Sequence, residues 1–147
     1  MFRHRQTKEQ WEESWRKKIN EMPDILLEKL VVNNIVKHVR LKDKKTLEVG
    51  SGSGYASFLL KKQGATVSLL DYSKTSFDVA ERFFGCRDGF FLGDCFDMPF
   101  KWTNKFDLVF SVGLLEHYDK KDQIKIVREM TRVCKPGGYF LVGVGRK

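Results

Sequence analysis

Thr46-Leu47-Glu48-Val49-Gly50-Ser51-Gly52-Ser53-Gly54-Tyr55 decides how the rest of the chain is read. A short apolar strand ending at Val49 runs into glycines at positions 50, 52 and 54, and a helical pattern with Ala56, Leu59 and Leu60 follows at once. Glycine is needed where backbone turns tightly and lies directly against a ligand with no Cβ between them. The helix behind such a loop aims its unsatisfied N–H groups at that ligand. Strand, glycine loop and helix in this order make a cradle of nucleotide type. The dinucleotide fingerprint G-x-G-x-x-G/A is neither matched nor excluded: counted from Gly52, its third small position falls on Ser57.

Outward from that stretch, the chain reads as alternating strands and helices. Strands are expected at 46–50, 66–71, 89–93, 106–112 and 139–144, most of them continuous apolar runs of the kind buried on both faces of a parallel sheet. Helices are expected near 54–63, 73–84 and 121–134, the last with Ile126, Val127, Met130 and Cys134 on its inner side. Asp94–Lys105 reads as a loop that holds a helical turn, and Lys135-Pro136-Gly137-Gly138 as the stop of the last helix. Before the first strand, residues 7–21 read as a helix that Thr7 and Gln10 start with a capping box, and Trp11 and Trp15 share one face of it. Pro23 breaks that helix, and Asp24 caps a second one carrying Val32, Ile35, Val36 and Val39. The βαβ order implies an open, doubly wound sheet with its ligand at the carboxyl ends of the strands.

Composition narrows the classes. The 147 residues fit one domain, and 41% apolar with 31% charged residues is ordinary for a globular chain. No apolar run approaches the roughly 20 residues of a membrane span, and the N-terminus has no signal-peptide core. Cys86, Cys95 and Cys134 are odd in number and widely spaced, so they read as thiols in a reducing cytoplasm, with no metal site. The net charge of +8 divides into +5 for residues 1–45 (12 Lys/Arg against 7 Asp/Glu) and +3 for residues 46–147 (15 against 12). Acids alternate with these bases, so a solvated surface is favoured over a nucleic-acid site.

Asp71 closes the second strand, 17 residues beyond Gly54, where a carboxylate can accept hydrogen bonds from two ribose hydroxyls. Its bland reading is a turn aspartate, although Ser73 is the better helix cap. His117, in Leu114-Leu115-Glu116-His117, lies at the ligand edge of the sheet. Its unperturbed pKa of about 6.5 suits it to remove an acceptor proton at neutral pH. Trp11 and Trp15 either roof the ligand or pack the first helix on the sheet, the second being the simpler reading, and Tyr55 has the same two readings.

The ordered pieces LEVGSGSG, LLD, GD, FDLVFSVGLLEH and KPGG resemble those of class I S-adenosylmethionine-dependent methyltransferases, across about 100 residues of the chain. The resemblance implies one domain over 1–147: a helical cap at 1–45 and a Rossmann-like, mostly parallel sheet of order 3-2-1-4-5 at 46–147 that binds the cofactor. By the same resemblance Glu48 lies near the methionine amino group, and the backbone of Gly50, Ser51, Gly52 and Gly54 holds the amino-acid part. Asp71 takes the ribose, with Tyr72 against the adenine. Asp94 meets the adenine amino group, and Cys95 covers the ring. Ser111 and Val112 run along the cofactor, Leu115 packs on it, and His117 is a base or fixes the loop. Trp11, Trp15 and Tyr55 complete the shell.

The implied reaction moves the sulfonium methyl of S-adenosylmethionine to an O, N or C nucleophile. No Asn-Pro-Pro-Tyr motif follows the fourth strand, which leans toward a small-molecule acceptor over nucleic acid. Family members continue into a further helix and an antiparallel hairpin, giving order 3-2-1-4-5-7-6, whereas this sequence stops at Lys147. Strand 139–144 is therefore expected to be an apolar edge open to self-association. Two rivals follow: a cofactor-binding module without turnover, and an NAD-dependent oxidoreductase whose loop seats a pyrophosphate.

Overall fold

The computed structural model describes residues 7–21, 25–85 and 88–145. Five parallel strands make one sheet: β1 (Lys45–Val49), β2 (Thr66–Asp71), β3 (Phe90–Leu92), β4 (Phe106–Val112) and β5 (Cys134–Gly143), in the order β3-β2-β1-β4-β5. This is the doubly wound order expected from the sequence. The helices are α1 (Lys8–Lys18), α2 (Leu26–His38), α3 (Tyr55–Lys62), α4 (Lys74–Phe84) and α5 (Lys120–Val133).

Alternation along β1 divides the core in two. Leu47 and Val49 point to one face, where Leu70, Val109, Trp102 and Phe106 meet Ile126, Met130 and Val133 of α5. Opposite, Leu69, Leu108 and Phe110 meet Ile35 of α2, Leu60 of α3 and Ala80 of α4. Both faces of the three central strands are thus dry, which is why these strands read as continuous apolar runs. The edge strand β3 departs from that expectation: Phe91 and Leu92 are exposed.

Side-chain caps fix where helices begin. Thr7 and Gln10 form the capping box on α1, with Thr7 Oγ1 accepting from Gln10 N–H at 3.1 Å. Ser73 caps α4 by accepting from Ser76 N–H at 3.1 Å, and Asp119 caps α5 by accepting from Asp122 N–H at 2.8 Å. The expected cap at Asp24 and break at Pro23 lie outside the described residues, as does Cys86. Within α2, Val32 and Ile35 are buried whereas Val36 is exposed.

Lys135-Pro136-Gly137-Gly138 follows the end of the last helix as expected, but it continues into a strand. That helix ends at Val133, and the four residues lie inside β5. Phe106 pairs with Cys134 and Leu108 with Tyr139, so the extra residues bulge out of the β4–β5 ladder. Cys134 accordingly begins a strand; it does not lie on a helix face. The loop from Asp94 to Lys105 contains the expected helical turn, Phe100–Trp102. It is pinned to α5 by Arg132, whose guanidinium donates to the Met98 carbonyl at 2.8 Å and to Thr103 Oγ1 at 2.7 Å.

Candidate functional site

A cleft of about 200 Å³ opens at the carboxyl ends of the strands, beside the point where the chain order reverses. The floor is the loop after β1. Gly50 and Gly52 have φ of +66° and +53°, a region that favours glycine. A Cβ at Gly50 would stand 2.8 Å from the Leu114 side chain, and one at Gly52 2.8 Å from the Trp15 ring. The loop is tied to β2, because Gly50 and Ser51 both donate to the Leu70 carbonyl, at 2.8 and 3.0 Å.

Asp71 stands beside this floor. Its Oδ2 accepts from Gly52 N–H and its Oδ1 from Ser73 N–H, each at 2.9 Å. Burial pushes its carboxyl above the ordinary range, and these hydrogen bonds oppose that shift. Each oxygen still has acceptor capacity for a ligand hydroxyl. Tyr72 and Cys95 line the wall with Asp71, Val112 lines it from the end of β4, and Trp11 and Trp15 line it from α1. Of the residues singled out in the sequence, Gly50, Ser51, Gly52, Asp71, Tyr72, Cys95, Val112, Trp11 and Trp15 are thus brought together.

The others stand elsewhere. Glu48 is 1% exposed and lies behind the loop, where its Oε1 accepts from Ser57 Oγ at 2.7 Å and Ser57 N–H at 3.2 Å. Desolvation raises its pKa to about 8 against those two bonds, so this carboxyl is largely protonated at neutral pH. Gly54 caps α3 from below the floor. Tyr55 stacks with Phe58 and Phe84, at centroid distances of 6.1 and 4.9 Å, outside the cleft lining. Asp94 accepts from Phe96 N–H at 2.7 Å in a local turn and faces a neighbouring shallow depression. Ser111 is fully buried, its Oγ without a hydrogen-bond partner.

Leu115 packs into the core on the α5 side, while Leu114 takes the lining position. His117 lies in a turn of 3-10 helix and meets the Trp11 ring edge-on, centroids 4.9 Å apart, outside the lining.

Sequence reasoning missed Leu27, Glu28, Leu114 and Tyr118, all of which line the cleft. Topology carries a signal for the first two. A helix leading into the amino end of β1 must begin at the sheet's opposite, carboxyl edge, so the first turn of α2 reaches the cleft. For Leu114, the signal is Gly113, whose φ of +71° redirects the chain immediately after β4.

Residues 47–142 match the family model described as a methyltransferase domain. Methyltransferase GfsG of Streptomyces halstedii is 36% identical over 104 residues, which cover 67% of this chain and 36% of that protein. The chloroplastic tocopherol O-methyltransferase of Arabidopsis thaliana is 35% identical over 107 residues, covering 69% of this chain and 30% of that protein. The chain thus spans about a third of the length of these curated relatives. Among solved structures, Haemonchus contortus phosphoethanolamine N-methyltransferase 1, in complex with phosphoethanolamine and S-adenosylhomocysteine, superposes with a TM-score of 0.69. It is 19% identical, and the overlap covers 92% of this chain and 33% of that one.

Proposed function

This chain belongs to the methyltransferase-domain family, of the class I S-adenosylmethionine-dependent kind, and from that premise we propose that it binds S-adenosylmethionine in the cleft and methylates a small molecule. One observation carries the reading. The left-handed glycine floor and the Asp71 carboxylate share a cleft, joined by the Gly52 N–H to Oδ2 bond. Bare backbone fits the amino-acid end of the cofactor, and a carboxylate with spare acceptor capacity fits its ribose. When bound, the cofactor supplies an electrophilic sulfonium methyl.

The protein's part is to hold the two reactants in line, about 3 Å apart, and to keep water out. Trp11 and Trp15 line the cleft, where aromatic rings suit a cationic ligand. Tyr72 and Cys95 provide the surfaces against which a base can lie. Gly54 holds the start of α3 beneath the loop, and Glu48 supports it from behind through Ser57. The tocopherol O-methyltransferase among the relatives supports a small organic acceptor. Among the described residues no helix is long and apolar enough to cross a membrane. The proposal extends to self-pairing along β5, where Tyr139 and Phe140 are exposed at the edge of the sheet.

Calorimetric titration with S-adenosylhomocysteine tests the binding step, and incorporation of labelled methyl into pools of small molecules tests turnover. Saturable 1:1 binding with incorporation is expected; heat from NADH alone would transfer the case to an oxidoreductase. A binding module without turnover is the second reading, favoured by the position of His117 outside the cleft lining. It predicts binding without incorporation.

A further inference from the structure

Helix α1 roofs the cleft through Trp11 and Trp15. Helix α1 contains no buried residue, although Trp11 and Trp15 both face the cleft. Its neighbour Glu12 makes the polar attachment. Glu12 Oε2 accepts from Ser73 Oγ at 2.5 Å, and its Oε1 accepts from Thr75 N–H at 3.2 Å and from the Thr75 hydroxyl. A carboxylate is thus seated on the first turn of α4, where free N–H groups and the helix dipole favour negative charge. Burial alone would raise the Glu12 pKa, but the Ser73 and Thr75 hydrogen bonds outweigh it and the net direction is down. Past the end of α1, Asn20 Oδ1 accepts from Arg82 at 2.8 Å, also on α4.

Ser73 connects this attachment to the site. Its N–H donates to Asp71 Oδ1 while its hydroxyl donates to Glu12. The carboxylate assigned to the ribose and the carboxylate that fastens the roof therefore share one residue. We propose that Glu12 is a positioning residue, a latch that clamps Trp11 and Trp15 over the cleft and sets how fast the cofactor leaves. The proposal rests on the cofactor reading above. It goes beyond that reading by making α1 a hinged roof and the α4 first turn its catch. The apolar contacts of α1 are those of the half-buried Trp11 and Trp15 with His117 and the glycine loop, and the Glu12 bonds add the polar catch that sets how readily the roof lifts.

Two measurements decide it. In ligand-free protein, hydrogen–deuterium exchange of α1 amides should quicken at least about tenfold in Glu12→Ala, with β1 and β4 amides unchanged, and Glu12→Gln should recover part of the protection. Thr75→Val, which removes only a hydroxyl donor, should change α1 in the same direction. In stopped flow, following tryptophan fluorescence, S-adenosylhomocysteine should dissociate about tenfold faster from Glu12→Ala, with a smaller change in association. Unchanged α1 exchange in Glu12→Ala overturns the latch. Faster α1 exchange with unchanged dissociation overturns the positioning role. Wild-type protein that fails to bind S-adenosylhomocysteine would defeat the cofactor reading instead, and the exchange measurement would still decide the latch.

Discussion

Half-buried Asp71 and fully buried Glu48 are acids on neighbouring strands, yet their partners give them different work. Asp71 accepts from two backbone N–H groups, on the glycine loop and on the first turn of α4, and faces the cleft. Charge-assisted hydrogen bonds of about 1.5–3 kcal/mol each put the loss of S-adenosylhomocysteine affinity in Asp71→Ala at about 100-fold or more. Titration calorimetry giving the wild-type constant would remove Asp71 from the ribose. Glu48, by contrast, carries a proton that the unfolded chain releases. With its pKa raised to about 8, the folded state binds more protons than the unfolded state between the ordinary carboxylate value and that point. Stability therefore falls as pH rises through this window, by up to about 1.4 kcal/mol per unit. Glutamine in its place keeps an acceptor for Ser57 and carries no such cost. Glu48→Gln is expected to melt higher than wild type at pH 8, with a much smaller gain at pH 5; parallel melting curves across that range would contradict the assignment.

Among the elements, β5 shows how a local rule misleads. Proline followed by two glycines after a helical pattern reads as a stop signal, and α5 does end just before it. What the sequence does not display is the partner strand. The bulge exists because β4 and β5 must regain register after Lys135–Gly138, and that is a property of two strands, not one. At Gly138 a Cβ would stand 2.9 Å from the Asp107 and Lys135 carbonyl oxygens, both backbone atoms with little room to give. Gly138→Ala is accordingly expected to destabilise the fold by about 1–3 kcal/mol, read as a lowered urea midpoint with unchanged slope. An unchanged midpoint would mean that the bulge tolerates a side chain. Helix α1 teaches the reverse. Its cap and its tryptophan pair are local and were readable, but its attachment through Glu12 joins residues 61 and 63 positions apart and leaves no trace in a linear pattern.

Taken as a whole, the molecule was legible in its layers and order because strand alternation, helix periodicity and βαβ handedness are all short-range or topological rules. Site residues on the strand ends and glycine loop were readable for the same reason. Tyr118 was not, because only packing brings it to the cleft, and Leu27 and Glu28 of α2 were marked by topology alone, with no local motif. Leu115 was assigned where Leu114 stands, a one-residue rotation produced by a left-handed glycine between strand and turn. The same scale governs association. With β5 at the sheet margin and Tyr139 and Phe140 exposed, sedimentation velocity at rising concentration is expected to show a dimer, and Phe140→Lys to weaken it. A monomer at every concentration would remove the self-pairing proposal.

The double hydrogen bond from Gly50 and Ser51 to one carbonyl of β2 has a thermodynamic corollary. A floor already cast in its final shape loses little conformational freedom when something settles on it. Any ordering that accompanies occupancy should then be confined to the roof, and Glu12→Ala, which loosens it, should change the binding entropy more than the enthalpy.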